Sequence, residues 1–193
     1  MPMDGAREVT LIFSEQKVAQ MAAFFLARRE APMAHIKLMK LLYLADRLSM
    51  ERYDAPMSDD SQCNMKNGPI LSATLDLMNG SRSSNAWSAL ISPIRNNEVT
   101  LQRNFVWDEL DELSRADLAI LEEVFANFGH LNRWELVNYV HTLPEWENPG
   151  SSSKPIDSEV TFESFGLTKV QAHEKVAMLR TRKLLGQKLA EMS

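Results

Sequence analysis

The segment from Ala34 to about Tyr53 constrains this chain more than any other. It carries Ile36, Leu38, Met39, Leu41, Leu42, Tyr43, Leu44, Ala45 and Leu48 with no proline or glycine to interrupt them, which predicts a helix apolar around most of its circumference. Such a helix belongs at the centre of a core, with other elements packed on several sides. Lys37, Lys40 and Arg47 are the exception. At about 100° per residue they return to nearly the same side and form one polar stripe, which must face water, an internal carboxylate or a partner.

The flanking segments supply the packing partners. Ser14 is a plausible N-cap for a first helix whose Val18, Met21, Ala22, Phe25 and Leu26 recur at helical spacing, ending near Arg29 or Glu30 before Pro32. Asn67-Gly68-Pro69 reads as a helix start, with proline at the first helical position and a short helix from Pro69 to Asn79 closed by Gly80. Asn96-Asn97 is a turn pair between β-branched segments, which predicts a hairpin of Ala89 to Ile94 against Glu98 to Arg103, the only sheet expected. Ser114 with Asp117 and Asn132 with Glu135 resemble capping boxes. They open two further helices, one with Leu118, Leu121, Val124, Phe125 and Phe128 inward and ending at Gly129, the other with Leu136, Val137, Val140 and Leu143 inward and stopped by Pro144. Asn148 to Pro155 is a loop, and a last helix runs from Thr168 to near Glu191. The expected fold is mainly α, a single compact helical domain over 1–193 with one small antiparallel β-hairpin. Its core spans about 14–147, a loop 148–157, and a C-terminal helical extension 158–193.

Charge and chemistry narrow the function classes. No apolar run approaches the roughly 20 residues of a membrane-spanning helix. The charged Asp4, Arg7 and Glu8 precede any apolar run, so no secretory leader is expected, and with the lone Cys63 this points to the reducing cytoplasm. The net charge of −5 gives no support to a large nucleic-acid footprint, but it is unevenly spread: from Lys169 onward there are six basic and two acidic residues. Asp108, Glu109, Asp111, Glu112, Asp117, Glu122 and Glu123 form an acidic run, as on a solvated helix face. The histidines His35, His130, His141 and His173 lack metal-ligand spacing, and no phosphate-cradling loop, nucleophile elbow or Cys-His signature is present. Neither cofactor nor catalysis is expected.

Three blocks of residues carry a resemblance. His35-Ile36-Lys37-Leu38-Met39-Lys40-Leu41-Leu42-Tyr43-Leu44-Ala45-Asp46-Arg47 resembles the signature helix of the Panacea antitoxin domain, the SocA-like family. Met65-Lys66-Asn67-Gly68-Pro69-Ile70-Leu71-Ser72 is similar to its Gly-Pro motif. Phe128-Gly129-His130, Trp134-Glu135-Leu136 and His141-Thr142-Leu143-Pro144-Glu145-Trp146 resemble its closing motif. The resemblance implies an antitoxin that blocks a cognate toxin protein by direct contact, without a cofactor. Within the family an adaptor role, presenting the toxin to a bacterial unfoldase-protease, is a second possibility, and binding to its own operon DNA a third.

The candidate site residues follow. Lys37, Lys40, Tyr43 and Arg47 are candidate partner contacts, the competing reading being that the lysines are solvated or ion-paired while Tyr43 packs. Gly68 and Pro69 are expected to be structural, as are His141, Pro144 and Trp146, with His141 hydrogen-bonded beside a packed Trp146. The second helix is too apolar to lie in a DNA groove, which leaves Arg180, Arg182, Lys183 and Lys188 as the phosphate contacts of the DNA alternative.

Overall fold

A computed structural model describes residues 12–192, so Asp4, Arg7 and Glu8 lie outside the described residues. The chain is mainly α-helical. Helix α1 (Glu15–Arg29) is capped by Ser14, whose hydroxyl accepts from the Lys17 amide, and closes on Glu30 in the left-handed region. Strand β1 (Met33–Ala34) leads into α2 (His35–Tyr53). As its composition requires, α2 is the axis of the molecule: Leu38, Leu41, Leu42, Tyr43 and Ala45 are fully buried. Around it stand α1, α5 (Arg115–Phe128) and α6 (Arg133–Val140). Both predicted capping boxes are present, Ser114 with Asp117 and Asn132 with Glu135.

The sheet differs from expectation. Gln62–Met65 (β2) and Gly68–Leu71 (β3) form an antiparallel hairpin, and Lys154–Pro155 (β5), within the segment read as a loop, adds to the other side of β2 in the order β3-β2-β5. Gly68-Pro69 is therefore a strand start and not a helix start, and α3 (Ser72–Asn79) begins three residues after Pro69. Two physical facts decide this. Gly68 has φ +93°, incompatible with a helical first turn, and Pro69 sits on an edge strand, where its missing N–H costs no ladder bond. The helix start is supplied from a distance: Asp60 accepts from the amides of Ala73 and Thr74 at 3.0 and 2.8 Å.

The predicted turn at Asn96-Asn97 is real, with φ of 53° and 64°. Arg95 and Glu98 exchange backbone bonds across it, and Ile91 bridges Leu101. The flanks are shorter than expected, because Ala89 and Leu90 belong to helix α4 (Asn85–Leu90), and Glu98–Val99 (β4) also pairs with β1.

The acidic run serves as a set of internal ties. Glu122 pairs with Arg28, Glu123 with Arg52 and Glu109 with Arg103. The buried amide of Gln20 donates to Asp111 and to the Glu109 carbonyl, and accepts from the Glu112 amide.

After β5 the chain forms α7 (Ser158–Ser164) and α8 (Lys169–Glu191), capped by Thr168. These two pack on each other through a small separate cluster of Phe162, Ala172 and Val176, docked on Met50 near the end of α2.

Candidate functional site

The three sequence blocks meet in space, and what joins them is the inward stripe of α2. Lys37 is buried and donates to the Gly129 and Leu131 carbonyls, both at 2.6 Å, placing a cation at the C-terminal end of α5 where the helix dipole is negative. One turn on, Lys40 is 1% exposed and donates to the Pro69 carbonyl at 2.7 Å. Burial pushes its amine down to about 7. The fully buried Tyr43 donates to Glu145 at 2.8 Å; burial, reinforced by the Glu145 charge, raises its phenol well above the usual value. Arg47 reaches the same carboxylate at 2.6 Å, donates to Ser164 Oγ at 2.8 Å and lies over the Phe165 ring. Burial disfavours the guanidinium charge, but the bond to Glu145 and its charge outweigh that and raise the Arg47 pKa.

Glu145 is thus the hub of the junction. Its side chain is fully buried, it takes bonds from Tyr43 and Arg47, and its backbone carbonyl accepts from Asn64 on β2 at 3.0 Å. Sequence reasoning did not place it among the site residues. The available signal was the α2 stripe itself: cations and a tyrosine on an otherwise apolar helix call for internal oxygens, and Glu145 stands inside the closing block beside Pro144, which ends the helical path and lets the chain turn back toward α2.

Gly68 holds the other side of the junction. A Cβ there would lie 2.6 Å from Val140 Cγ2 and 3.4 Å from both His141 Cδ2 and Lys40 Cε, so β3 approaches α6 and α2 as closely as it does because this residue has no side chain. His141 and Trp146 stack at 4.0 Å between ring centroids. The expected hydrogen bond to the imidazole is incomplete: His141 Nε2 and Trp146 Nε1 are buried without a partner among the described residues, as is Asn64 Oδ1. Burial and the neighbouring Lys40 charge hold the imidazole below its ordinary value.

A second buried carboxylate braces the far end of α2. Asp46 accepts from the amide and hydroxyl of Ser58 at 2.8 and 2.5 Å, and Ser58 Oγ accepts from the Asp60 amide, which carries the connection on to α3. Burial raises Asp46 to about 7 against the opposing Ser58 bonds.

The four candidate partner contacts are therefore occupied within the chain. Lys37, Lys40 and Tyr43 are buried and Arg47 is mostly so, and each ties α2 to a different segment. Gly68, Pro69, His141 and Trp146 are drawn into the same junction. Among the described residues no group of three or more His, Cys, Asp or Glu could hold a metal ion, and no helix is long and apolar enough to cross a membrane.

What fold and junction define together is a helical scaffold whose shared residues hold its own elements in register. The profile described as antitoxin SocA-like, Panacea domain, matches residues 38–147, more than half of the chain, and the chain belongs to that family. Comparison with curated proteins and with solved structures found no match.

Proposed function

We propose that the chain is the antitoxin of a toxin-antitoxin pair and neutralises its cognate toxin by direct protein contact. Membership of the SocA-like antitoxin family over 38–147 carries this reading. The junction supports it in a particular way: the motif residues fix a rigid framework, so that an interface of standard size, roughly 1,600 Å² in total, can be preorganised on the outside of the same elements. The mechanism is occupancy of a toxin surface, with specificity set by exposed side chains.

The product of the adjacent gene is the test partner. Coexpression is expected to restore growth that the partner alone arrests, and the two proteins are expected to co-purify. A harmless neighbour that never binds contradicts the proposal. Toxin lifetime separates sequestration from delivery to a protease: a toxin that persists while toxicity disappears fits sequestration, and one degraded only when this chain and the protease are both present fits the adaptor role.

A further inference from the structure

We infer that α7 and α8 form a strap that opens from the body as one unit while the helical core stays folded, with the Arg47 bond to Ser164 as its latch. Opening uncovers Met50 and the Arg47 guanidinium on the family's signature helix, a second state that the antitoxin reading neither requires nor supplies.

The strap is close to self-sufficient. Asp157 caps α7 and Thr168 caps α8, so neither helix start depends on the body. The two helices pack on each other more extensively than either packs on the body. Phe162 meets Phe165 edge to face at 6.1 Å between ring centroids, and His173 on α8 bonds to Glu159 on α7 at 2.9 Å. Phe162, Ala172 and Val176 form a cluster distinct from the main core, and among the described residues Met50 is the one buried side chain that the body contributes to it.

What fastens the strap to the body is mostly polar and close to water. Arg47 donates to Ser164 Oγ at 2.8 Å and lies 4.8 Å from the Phe165 ring centroid, reaching α7 from a side chain that Glu145 also holds. Lys175 pairs with Asp54 and Arg182 with Asp59, all four side chains partly exposed; such pairs hold an element weakly, and more weakly with added salt. Between these ties a groove of about 670 Å³, lined by Met50, Asp59, Gln62, Ile156, Val176 and Leu179, runs between α8 and the body, so the seam there lacks the close packing of a core. On α2, by contrast, Leu38, Leu41, Leu42, Tyr43 and Ala45 all belong to the main core. Opening gives up the packing of one methionine, the Arg47 contacts and two partly exposed ion pairs, whereas unfolding the body gives up that whole core, and the element with fewer buried apolar contacts opens first. The Tyr43 and Arg47 bonds to Glu145 lie on the body side and survive the opening.

The test uses the full chain with Cys63→Ser and one cysteine introduced at a time, labelled by a thiol reagent under native conditions. Met50→Cys and Val176→Cys report the two sides of the seam, and Ala45→Cys, at a fully buried position of α2, reports the body. Met50→Cys and Val176→Cys are expected to label at similar rates, both at least about 100-fold faster than Ala45→Cys. Adding Ser164→Ala, which removes the latch bond and leaves Glu145 in place, is expected to speed both about 10-fold without changing Ala45→Cys. Met50→Cys labelling as slowly as Ala45→Cys overturns the strap. Fast Val176→Cys beside slow Met50→Cys shows α8 unfolding by itself and overturns it as well, and rates indifferent to Ser164→Ala overturn the latch. Hydrogen exchange of the unsubstituted chain, read by mass spectrometry, guards against an opening caused by the cysteines. Peptides of α7 and of the first half of α8 are expected to exchange together, at least about 100-fold faster than those of α2, and an α7 as strongly protected as α2 contradicts the inference.

Discussion

Helices α2 and α8 contain the same kinds of residue, leucines and methionines interleaved with lysines and arginines, and the chain uses them in opposite ways. On α2 Lys37, Lys40 and Arg47 turn inward and each finds an oxygen belonging to the chain: Gly129 and Leu131 for Lys37, Pro69 for Lys40, Glu145 for Arg47. On α8 Met178, Leu185 and Met192 are exposed, and Arg180, Lys183 and Lys188 make no direct salt bridge among the described residues. The difference lies in what surrounds each helix. Four of the neighbours of α2 (α1, α5, α6 and β3) wrap it, so the polar groups of its inward stripe have to be satisfied internally and only its last turn, Glu51 to Tyr53, is exposed, while α8 touches the body along one side only. A basic stripe on a helix is therefore evidence of a surface only when the helix has a side left over.

The sharpest way to break that contrast is to remove the acid on which the α2 side depends. Glu145→Ala leaves the buried Tyr43 hydroxyl and the Arg47 guanidinium without their partner and is expected to cost about 3 to 5 kcal/mol, read as a shift of the urea midpoint. Gly68→Ala forces a side chain into the left-handed region and against Val140; about 2 to 4 kcal/mol is expected from the same measurement. Trp146→Ala removes a half-buried indole stacked on His141, and about 2 kcal/mol is expected, less than for a fully enclosed tryptophan.

Two buried ionisable groups on α2 add a pH signature. Lys40 sits at about 7 when folded, below an ordinary lysine, so from about pH 7 to 10 the unfolded chain holds a proton the folded chain lacks, and the Lys40 contribution to stability grows as pH rises. Asp46 has the reverse sense: raised to about 7, it keeps a proton in the folded chain between about pH 4 and 7, and its contribution falls as pH rises through that window. Lys40→Met is expected to remove the upper slope and Asp46→Asn the lower, each amounting to at most about 1.4 kcal/mol per pH unit in the difference between variant and parent. The smallest expected effect marks the opposite helix: Leu185→Glu on α8 should alter stability by no more than about 0.5 kcal/mol.

Local signals in the sequence were enough for α1, α2, α5, α6 and α8, whose ends their own caps and breakers mark, but not for α3, where Pro69 reads as a start three residues too early, nor for α4, whose last residues read as a strand. Ser14, Ser114, Asn132 and Thr168 cap as their hydroxyls and amides dictate, and the apolar circumference of α2 made it central. The three-stranded sheet was not legible in the same way. Gln62 to Met65 has no clean alternation, β5 is two residues long, and Gly68-Pro69 looks alike at a helix start and at an edge-strand start until its φ is known. For the junction, the sequence delivered the basic residues of α2 and the Gly-Pro and His-Pro-Trp blocks, but not which way the stripe faced. That orientation depends on Glu145, about 100 residues away in the chain, and pairings across such separations leave no local periodicity to read.

The central claim is that the family's signature helix is internal framework, while lysines of α8 such as Lys183 and Lys188 are open to solvent. Lysine acylation of the native full-length chain, quantified residue by residue by mass spectrometry, tests it without needing the partner. Lys183 and Lys188 are expected to label freely, and Lys40 roughly 100-fold or more slowly, despite its depressed pKa, because the reagent reaches it only through an opening of the fold. Labelling of Lys40 as fast as of Lys183 under native conditions would contradict the account.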